Sequence, residues 1–357
     1  MHPEQIIFGS LVDISPLRSW IGKFDALQIL IYVRAGLAFA LALGITGVGG
    51  FYTTGGRAGR RGGDFITSPE VGPLFGTVIA RALDAWWKEI GLPSRFDVVE
   101  CGAGPGTLAA SILAAQPESA DAIHYVAVEI SKSQRALHPK GVESRETMPD
   151  GPITGVISAN KLLDNLPFCL FVFDGSWLEA FVAQATCGQT VVLLQKPDVV
   201  PSCLPQIAPV GSRAPIQDAA AEWARDCLVK IANGHLLLFD YCNTSTPDIA
   251  LTPWREWLRT YRDQGRGTHY LSDPGSQDIT AQVMLDQLPS SFSSSSQADF
   301  LKQWSIDDLV REGAAYWENM KHAPDIAAMK MRSRTTEVTV LVESCNLGSF
   351  QALEIKR

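Results

Sequence analysis

Apolar residues along the chain follow two spacings that alternate with one another. Short apolar runs rich in Val and Ile are typical of buried strands, and they lie at 96–100, 123–130, 153–159 and 235–241. Helical spacing follows Pro73 in Phe75, Val78, Ile79, Leu83 and Trp86. It recurs in Ile216, Ala220, Trp223 and Ile231, with Lys230 late and Gly234 just past the predicted end. This alternation predicts a parallel sheet with helices on both faces.

Three segments depart from the alternation. The stretch FCLFVFDGSWLEAFVA predicts a hairpin that turns at Asp174-Gly175. Near the C-terminus, TEVTVLVES (336–344) and SFQALEIKR (349–357) predict two strands, so an antiparallel strand closes the mostly parallel sheet. Residues 290–296, SSFSSSS, predict a loop with too little apolar content to become ordered.

Composition and charge narrow the class of protein. The 357 residues suffice for one large domain or two modest ones. The net charge of −8 argues against a nucleic-acid partner, and the basic cluster Arg57, Arg60 and Arg61 is interpreted as a solvated loop. The seven cysteines show no CxxC spacing, which favours a reducing, cytoplasmic location and argues against a metal site or a disulfide framework.

The N-terminal region contains an uncharged stretch at 35–56 that is long enough to cross a membrane. Five glycines by position 50 and the charge of Arg34 just before it argue against a span. A buried helix followed by a loop is therefore the favoured interpretation, and a membrane anchor is the alternative.

A glycine-rich turn follows the first predicted strand in FDVVECGAGPGTLAAS (96–111). A strand, a glycine loop and a helix N-terminus bind nucleotides, because glycines allow close backbone approach and the helix offers free N–H groups. Gly102, Gly104 and Gly106 give the spacing GxGxG. The dinucleotide motif GxGxxG would need a glycine at Thr107, so the spacing argues against a dehydrogenase.

Two acidic residues near this turn indicate which nucleotide it takes. Glu100 lies just before the glycines, separated from Gly102 by Cys101, and a carboxylate there favours the cationic S-adenosylmethionine (SAM) over a pyrophosphate. Glu129 ends the next predicted strand, where a ribose-binding carboxylate belongs. We therefore expect SAM as cofactor, with a tight strand–helix turn without ligand as the alternative.

Several longer strings resemble the MidA-like family of SAM-dependent methyltransferases, which includes mitochondrial assembly factors of respiratory complex I. The resemblance runs from about Gly50 to the C-terminus. The matching strings are GGDFITSPEVGPLFG (62–76), VVECGAGPGTLA (98–109), YVAVEIS (125–131), SANKLLDNLPF (158–168), RGTHYLSDPGSQDITAQV (266–283) and SQADFLKQW (296–304).

The resemblance implies an α/β fold: a Rossmann-like class I methyltransferase with a seven-stranded, mostly parallel sheet and an antiparallel last strand. The expected domains are a helical N-terminal segment at 1–50 and a methyltransferase domain at 51–357, with an insert after strand five at about 244–318. The family's mitochondrial members are associated with arginine methylation of a complex I subunit. A protein-arginine acceptor and a complex I subunit as partner are therefore what the resemblance suggests.

Candidate catalytic residues follow strand four, because ligands bind beyond the carboxyl ends of parallel strands. Asn160 could bond the acceptor or the cofactor, or it could cap a helix. Asp164 could grip a guanidinium, or it could pair with Lys161 three residues before it. The family usually has Asn-Glu where this chain has Asn160-Lys161, and a lysine there would repel an arginine acceptor.

Asp64 and Glu70, in the GDFITSPE loop, are the further acidic residues expected to line the acceptor side. Turn or helix-cap roles are their alternatives. The predicted function is thus a SAM-dependent methyltransferase that acts on protein arginine. The second hypothesis is a SAM-binding assembly or interaction protein with weak or no catalysis. An adenine methyltransferase is disfavoured, because Leu166 replaces the first proline of its motif in NLPF.

Overall fold

The computed structural model describes residues 66–184, 190–262, 265–272 and 276–357. The 1–50 segment, the uncharged stretch at 35–56, the basic cluster at 57–61 and Asp64 lie outside these residues. Within the described part of the chain, none of the helices combines the length and apolar character that a membrane crossing requires.

Strands and helices alternate through most of the described residues. The strands are β1 (Phe96–Cys101), β2 (Ile123–Val128), β3 (Glu143–Arg145), β4 (Ile153–Asn160), β5 (Cys169–Phe173), β6 (Trp177–Gln184), β7 (Thr190–Gln195), β8 (Arg213–Ile216), β9 (Ile231–Asp240), β10 (Cys242–Asn243), β11 (Leu258–Arg262), β12 (Gly265–Arg266), β13 (Asp278–Ala281), β14 (Val283–Met284), β15 (Ser293–Ser296) and β16 (Gln351–Lys356). The helices are α1 (Ser68–Val71), α2 (Pro73–Glu89), α3 (Thr107–Ala114), α4 (Lys132–Arg135), α5 (Asp218–Lys230), α6 (Thr246–Leu251), α7 (Trp254–Trp257), α8 (Gln297–Gln303), α9 (Ile306–Met320) and α10 (Ile326–Val342).

The central sheet has seven strands in the order β15-β16-β9-β4-β1-β2-β3. Strands β3, β2, β1, β4 and β9 are mutually parallel, whereas β16 is antiparallel to both β9 and β15. The predicted fold class, with its antiparallel last strand, is confirmed. The four strands read from the apolar runs form the middle of this sheet, because only strands covered on both faces lack polar alternation.

Helices cover both faces of the sheet, as predicted. Phe75, Val78, Ile79, Leu83 and Trp86 of α2 are all buried in the cluster on one face. The ring of Phe75 meets the ring of Phe239 of β9 edge-to-face at 5.3 Å between centroids. On the other face, α5 buries Ala220 and Cys227 against β4 and β9. The core therefore lies on both sides of the strands that carry the glycine turn.

The prediction of a strand at 336–344 was wrong, because this segment continues α10. The Asp325 side chain caps that helix by accepting from Ala328 N at 2.7 Å. The buried residues Glu337 and Leu341 are four apart, which is a helical and not a strand spacing. The Glu337 carboxylate accepts from Leu74 N at 2.8 Å, so α10 caps α2.

Two further local predictions were also wrong. Ser293–Ser296 forms the edge strand β15, ordered by backbone pairing to β16 that needs no apolar side chains. Gly234 does not end α5, which stops at Lys230, but lies inside β9. A Cβ on Gly234 would lie 1.8 Å from Gly155 O, so the glycine serves close strand pairing.

The predicted hairpin at Asp174-Gly175 is confirmed, with Phe173 paired to Trp177. It belongs to a separate four-stranded sheet, β7-β6-β5-β8, which is inserted between β4 and α5 and was not foreseen. The stretch 244–318 includes β11 to β14 of the second insertion, but also β15 of the central sheet. Leu170 of the first insertion and Trp257 of the second lie in one apolar cluster, so the two insertions pack together.

Candidate active site

A cavity of about 520 Å³ lies at the carboxyl ends of β1, β2 and β4. Ligands of open parallel sheets bind at this edge. The residues that line it come from α1, the glycine turn, the end of β2, the segment after β3 and the segment after β4. Six of the predicted site residues line it: Glu70, Glu100, Gly102, Gly104, Glu129 and Asn160.

The glycine turn adopts a backbone that disfavours other residues. Gly102, Gly104 and Gly106 have φ values of 69°, 54° and 80°, in the left-handed region. A Cβ on Gly106 would lie 2.8 Å from Pro139 Cδ, so the turn also has no room for a side chain there. His138 Nε2 lies 2.9 Å from Gly104 O, within hydrogen-bonding distance, and helps to hold the turn against the next loop.

Glu129 links the end of β2 to the glycine turn. Its two carboxylate oxygens accept from Gly104 N at 2.9 Å and from Ser131 N at 2.8 Å. Its side chain lines the cavity, and burial raises its pKa. Each carboxylate oxygen can accept more than one hydrogen bond, so the carboxylate retains capacity for ligand hydroxyls. The ribose-binding role stays a prediction, and the position suits it.

Glu100 is buried at the end of β1, beneath the glycine turn. Its carboxyl accepts from Tyr125 Oη at 2.7 Å. Burial raises the pKa of Glu100 to about 7, and the Tyr125 bond opposes that shift. A cationic ligand in the cavity would favour the ionised carboxylate and so offset part of the burial penalty.

Asn160 ends β4 and lines the cavity. Neither its amide oxygen nor its amide nitrogen has a hydrogen-bond partner among the described residues, although both atoms are buried. A buried amide without partners is unfavourable by about 1–3 kcal/mol. Asn160 therefore does not act as a helix cap, and its buried amide has unused hydrogen-bonding capacity at the cavity wall.

The segment after Asn160 holds a buried ion cluster. Lys161 Nζ pairs with Asp164, as the i,i+3 alternative anticipated, and lies 3.9 Å from Asp240 Oδ1. Burial lowers the pKa of Lys161 and raises that of Asp240, whereas their mutual attraction opposes both shifts. Asp164 is 1% exposed and lies behind the cavity wall instead of lining it.

Glu70 lies in α1 and lines the cavity. Its carboxylate accepts from Thr107 Oγ1 at 2.5 Å, at the start of the helix that follows the glycine turn. The bond holds α1 against α3 and uses one carboxylate oxygen, Oε1. The structure thus brings Glu70 to the same cavity as Asn160, whereas Asp64 lies outside the described residues.

Several cavity residues were not anticipated from the sequence. Glu146, Thr147 and Met148 follow the short strand β3, Gln134 lies in α4 and Trp223 in α5. The Oε1 atom of Gln134 is buried without a partner among the described residues, so it is a further acceptor for a ligand. The signal that could have found residues 146–148 is the strand before them, but β3 has three residues and is mostly exposed.

The cavity fits a nucleoside that bears a small charged tail. The glycine turn leaves room for backbone approach, Glu129 suits sugar hydroxyls, and Asn160 and Gln134 offer unsatisfied polar atoms. With the strand order and the antiparallel last strand, these features define a class I SAM-dependent methyltransferase. A family model for S-adenosyl-L-methionine-dependent methyltransferases matches residues 78–302. The chain belongs to this family, the MidA-like methyltransferases, and its cofactor is SAM.

Solved structures support the fold over nearly the whole chain. A protein from Burkholderia thailandensis, solved with bound S-adenosyl-homocysteine, superposes with a TM-score of 0.76. That likeness covers 93% of this chain and 91% of the other, at 23% identity. A second crystal structure of a protein from the same organism gives a TM-score of 0.74 over 93% of this chain and 90% of that one, also at 23% identity. At this identity the likeness shows the fold alone.

Curated relatives match a shorter stretch. The Drosophila melanogaster protein named as a mitochondrial protein arginine methyltransferase NDUFAF7 homolog is 45% identical over 64 residues, and the human NDUFAF7 protein is 39% identical over 64 residues. Each match covers 18% of this chain and 14% of the relative. The matched segments thus span about one seventh of those relatives.

Gly106→Ala tests whether the turn must be glycine. We expect a loss of about 1–3 kcal/mol in the free energy of unfolding, with weaker SAM binding, because left-handed strain adds to the contact with Pro139. Chemical denaturation and calorimetric titration with SAM measure both effects. Gly91→Ala is the control: Gly91 has φ 93° but open space around its Cβ, so only stability should fall. Equal SAM affinity in wild type and Gly106→Ala would contradict the prediction.

Glu100→Gln tests the buried carboxyl through the pH dependence of stability. Because the folded pKa is raised from 4.5 to about 7, the stability from Glu100 is fully present below pH 4.5. It is lost as pH rises through about 7, by up to about 3 kcal/mol. The variant should flatten the pH profile of ligand-free stability between about pH 5 and 8, as measured by urea denaturation. If the variant kept the wild-type dependence of stability on pH, a group other than Glu100 would be responsible for it.

Proposed function

We propose that this chain transfers a methyl group from SAM to a protein side chain, with arginine as the acceptor. The fold, the family and the cofactor support methyl transfer. The 64-residue matches to proteins named as arginine methyltransferases support the acceptor type. The observation that carries the proposal is the unpartnered, buried amide of Asn160, a residue that lines the cavity at the end of β4.

SAM supplies an electrophilic methyl group on a sulfonium. The chain's own residues must hold the acceptor in line with that methyl and keep water away. Asn160 can both donate to and accept from an acceptor nitrogen. A guanidinium is protonated at ordinary pH and must lose one N–H proton as its nitrogen is methylated. Carboxylates that bind it bidentately would orient it and would accept that proton. Glu70 lines the cavity and is proposed as a carboxylate that binds the acceptor.

The partner and the location are further parts of the proposal. A subunit of a respiratory complex is the proposed protein substrate, because the chain belongs to the family whose resemblance implies such a partner. A reducing, cytoplasmic compartment is proposed from the thiols: the described chain holds six free cysteines. An assembly protein that binds SAM with little turnover is the competing function, because Lys161 already occupies the carboxylate Asp164.

Isotope-labelled SAM with a cell extract as acceptor tests the proposal. We expect a labelled protein band, and peptide mass spectrometry should place the added methyl on arginine. Glu129→Gln, which is predicted to lose SAM binding, provides the matched inactive control. SAM binding without any labelled protein would support the assembly-protein alternative, and a label on another residue type would remove arginine from the proposal.

A further inference from the structure

Lys161 places an ammonium group in a cage of carboxylates and aromatic rings. Its side chain is 7% exposed, and its Nζ pairs with Asp164 and lies 3.9 Å from Asp240 Oδ1. The same Nζ lies 4.7 Å from the centre of the Tyr241 ring and 5.9 Å from that of Phe350. Carboxylates combined with aromatic faces are the chemistry that binds organic cations.

Asp240 is held in place independently of the lysine side chain. Asp240 accepts from Leu163 N at 2.9 Å and from Tyr241 N at 2.8 Å, so the backbone fixes its carboxylate. Asp164 Oδ1 is buried without a hydrogen-bond partner among the described residues. A guanidinium, which has five N–H donors in a plane, could use this unsatisfied oxygen, whereas an ammonium on Oδ2 leaves it unpaired.

The cage adjoins the cofactor cavity through the backbone. Asn160, which precedes the lysine, lines the cavity and has a buried amide without a partner among the described residues. Lys161 itself has φ 58°, an uncommon left-handed conformation for a residue with a long side chain, and its N–H donates to Phe239 O at 2.8 Å. Left-handed backbone at a non-glycine residue is found preferentially at functional sites. Lys161 is also one of the residues that line the cavity, and its ammonium lies in the cage.

We propose that Lys161 is a specificity-determining residue: its ammonium is the resident occupant of an acceptor-cation subsite formed by Asp164, Asp240 and Tyr241. A guanidinium acceptor binds there only by displacing it. This inference rests on the proposed function and adds to it the step that an arginine acceptor must make to bind: displacement of the Lys161 ammonium. The ligand class of the subsite is an organic monocation of guanidinium type.

Lys161→Met tests the proposal, because methionine keeps an unbranched chain but removes the charge. The probe is methylguanidinium, titrated by calorimetry into protein saturated with S-adenosylhomocysteine. The variant should bind the probe at least about tenfold more tightly than wild type, since two buried carboxylates then lack a cation. Lys161→Arg, which keeps the charge, should bind as weakly as wild type. Equal affinity of Lys161→Met and wild type would overturn the proposal.

A measurement on the wild-type protein guards against a variant that fails to fold. The rate of Lys161 acetylation by a water-soluble acetylating reagent is followed by peptide mass spectrometry, with and without methylguanidinium. Displacement by the probe should expose the ammonium and raise the rate several-fold, with Lys88, an exposed lysine, as internal reference. An unchanged rate at high probe concentration would overturn the proposal. Neither measurement needs turnover, so failure of the proposed arginine activity would be seen separately, in the labelling experiment.

Discussion

Replacing Glu129 with glutamine is expected to weaken SAM binding by about 100-fold, because it removes a charged acceptor of hydrogen bonds. The carboxylate now receives the N–H groups of Gly104 and Ser131, and the amide can satisfy only one of them well. The glycine turn would therefore lose its link to β2, and the ribose hydroxyls would lose their acceptor. Calorimetric titration with SAM measures the change.

Glu118→Gln is the control for this prediction. Glu118 is an exposed carboxylate that pairs with Lys88 on the surface, outside the residues that line the cavity. The SAM affinity of the Glu118→Gln variant should equal that of wild type. If Glu129→Gln bound SAM as tightly as this control, the carboxylate would serve the turn alone, and the ribose would have to bind elsewhere.

Replacing Asn160 with leucine is expected to lower turnover by about 100-fold while leaving SAM binding largely intact, because loss of a positioning contact misaligns the acceptor. The ligand-free protein should become more stable by about 1 kcal/mol, since a buried amide without partners is replaced by an apolar side chain of similar size. Methyl-transfer rates and urea denaturation measure the two effects.

The opposite signs of these two effects distinguish an active-site amide from a structural one. A structural Asn160 would lose stability together with activity. The Asn160→Asp variant is a second check on the role of the amide. Aspartate keeps the shape of the side chain but replaces the amide with a charged carboxylate. A leucine variant that is both less stable and fully active would contradict the role assigned to Asn160.

The central sheet was predictable because its strands carry strong local signals. Runs such as FDVVE and HLLLFDY are apolar on both faces, and α2 has an apolar stripe after Pro73. The glycine turn was predictable for a similar reason, since Gly102, Gly104 and Gly106 all adopt left-handed φ values. In each case a local physical requirement restricts the residue type directly.

The errors lie where tertiary contacts override local preference. The Val and Thr residues of 336–344 favour a strand locally, but Glu337 and Leu341 pack as one face of α10. Ser293–Ser296 has no apolar signal and becomes a strand because β16 offers a free edge. Gly234 resembles a helix end but lies where β9 approaches Gly155.

The candidate site was only partly predictable for the same reason. Glu100, Glu129 and Asn160 end strands of the central sheet, so topology alone brings them together. The short strand β3 gave no comparable signal, so Glu146, Thr147 and Met148, which follow it, were missed. Asp164 pairs with Lys161 and does not line the cavity. This placement depends on the left-handed backbone of Lys161, which the pattern of residue types does not predict.

The most direct test is a crystal structure of the wild-type protein soaked with S-adenosylhomocysteine. We expect a nucleoside over the turn at 102–106, with its ribose hydroxyls about 3 Å from the Glu129 carboxylate. We also expect the homocysteine end to lie on the side of the cavity that Asn160 lines. An empty cavity at saturating ligand, or a nucleoside bound away from Glu129, would contradict these expectations.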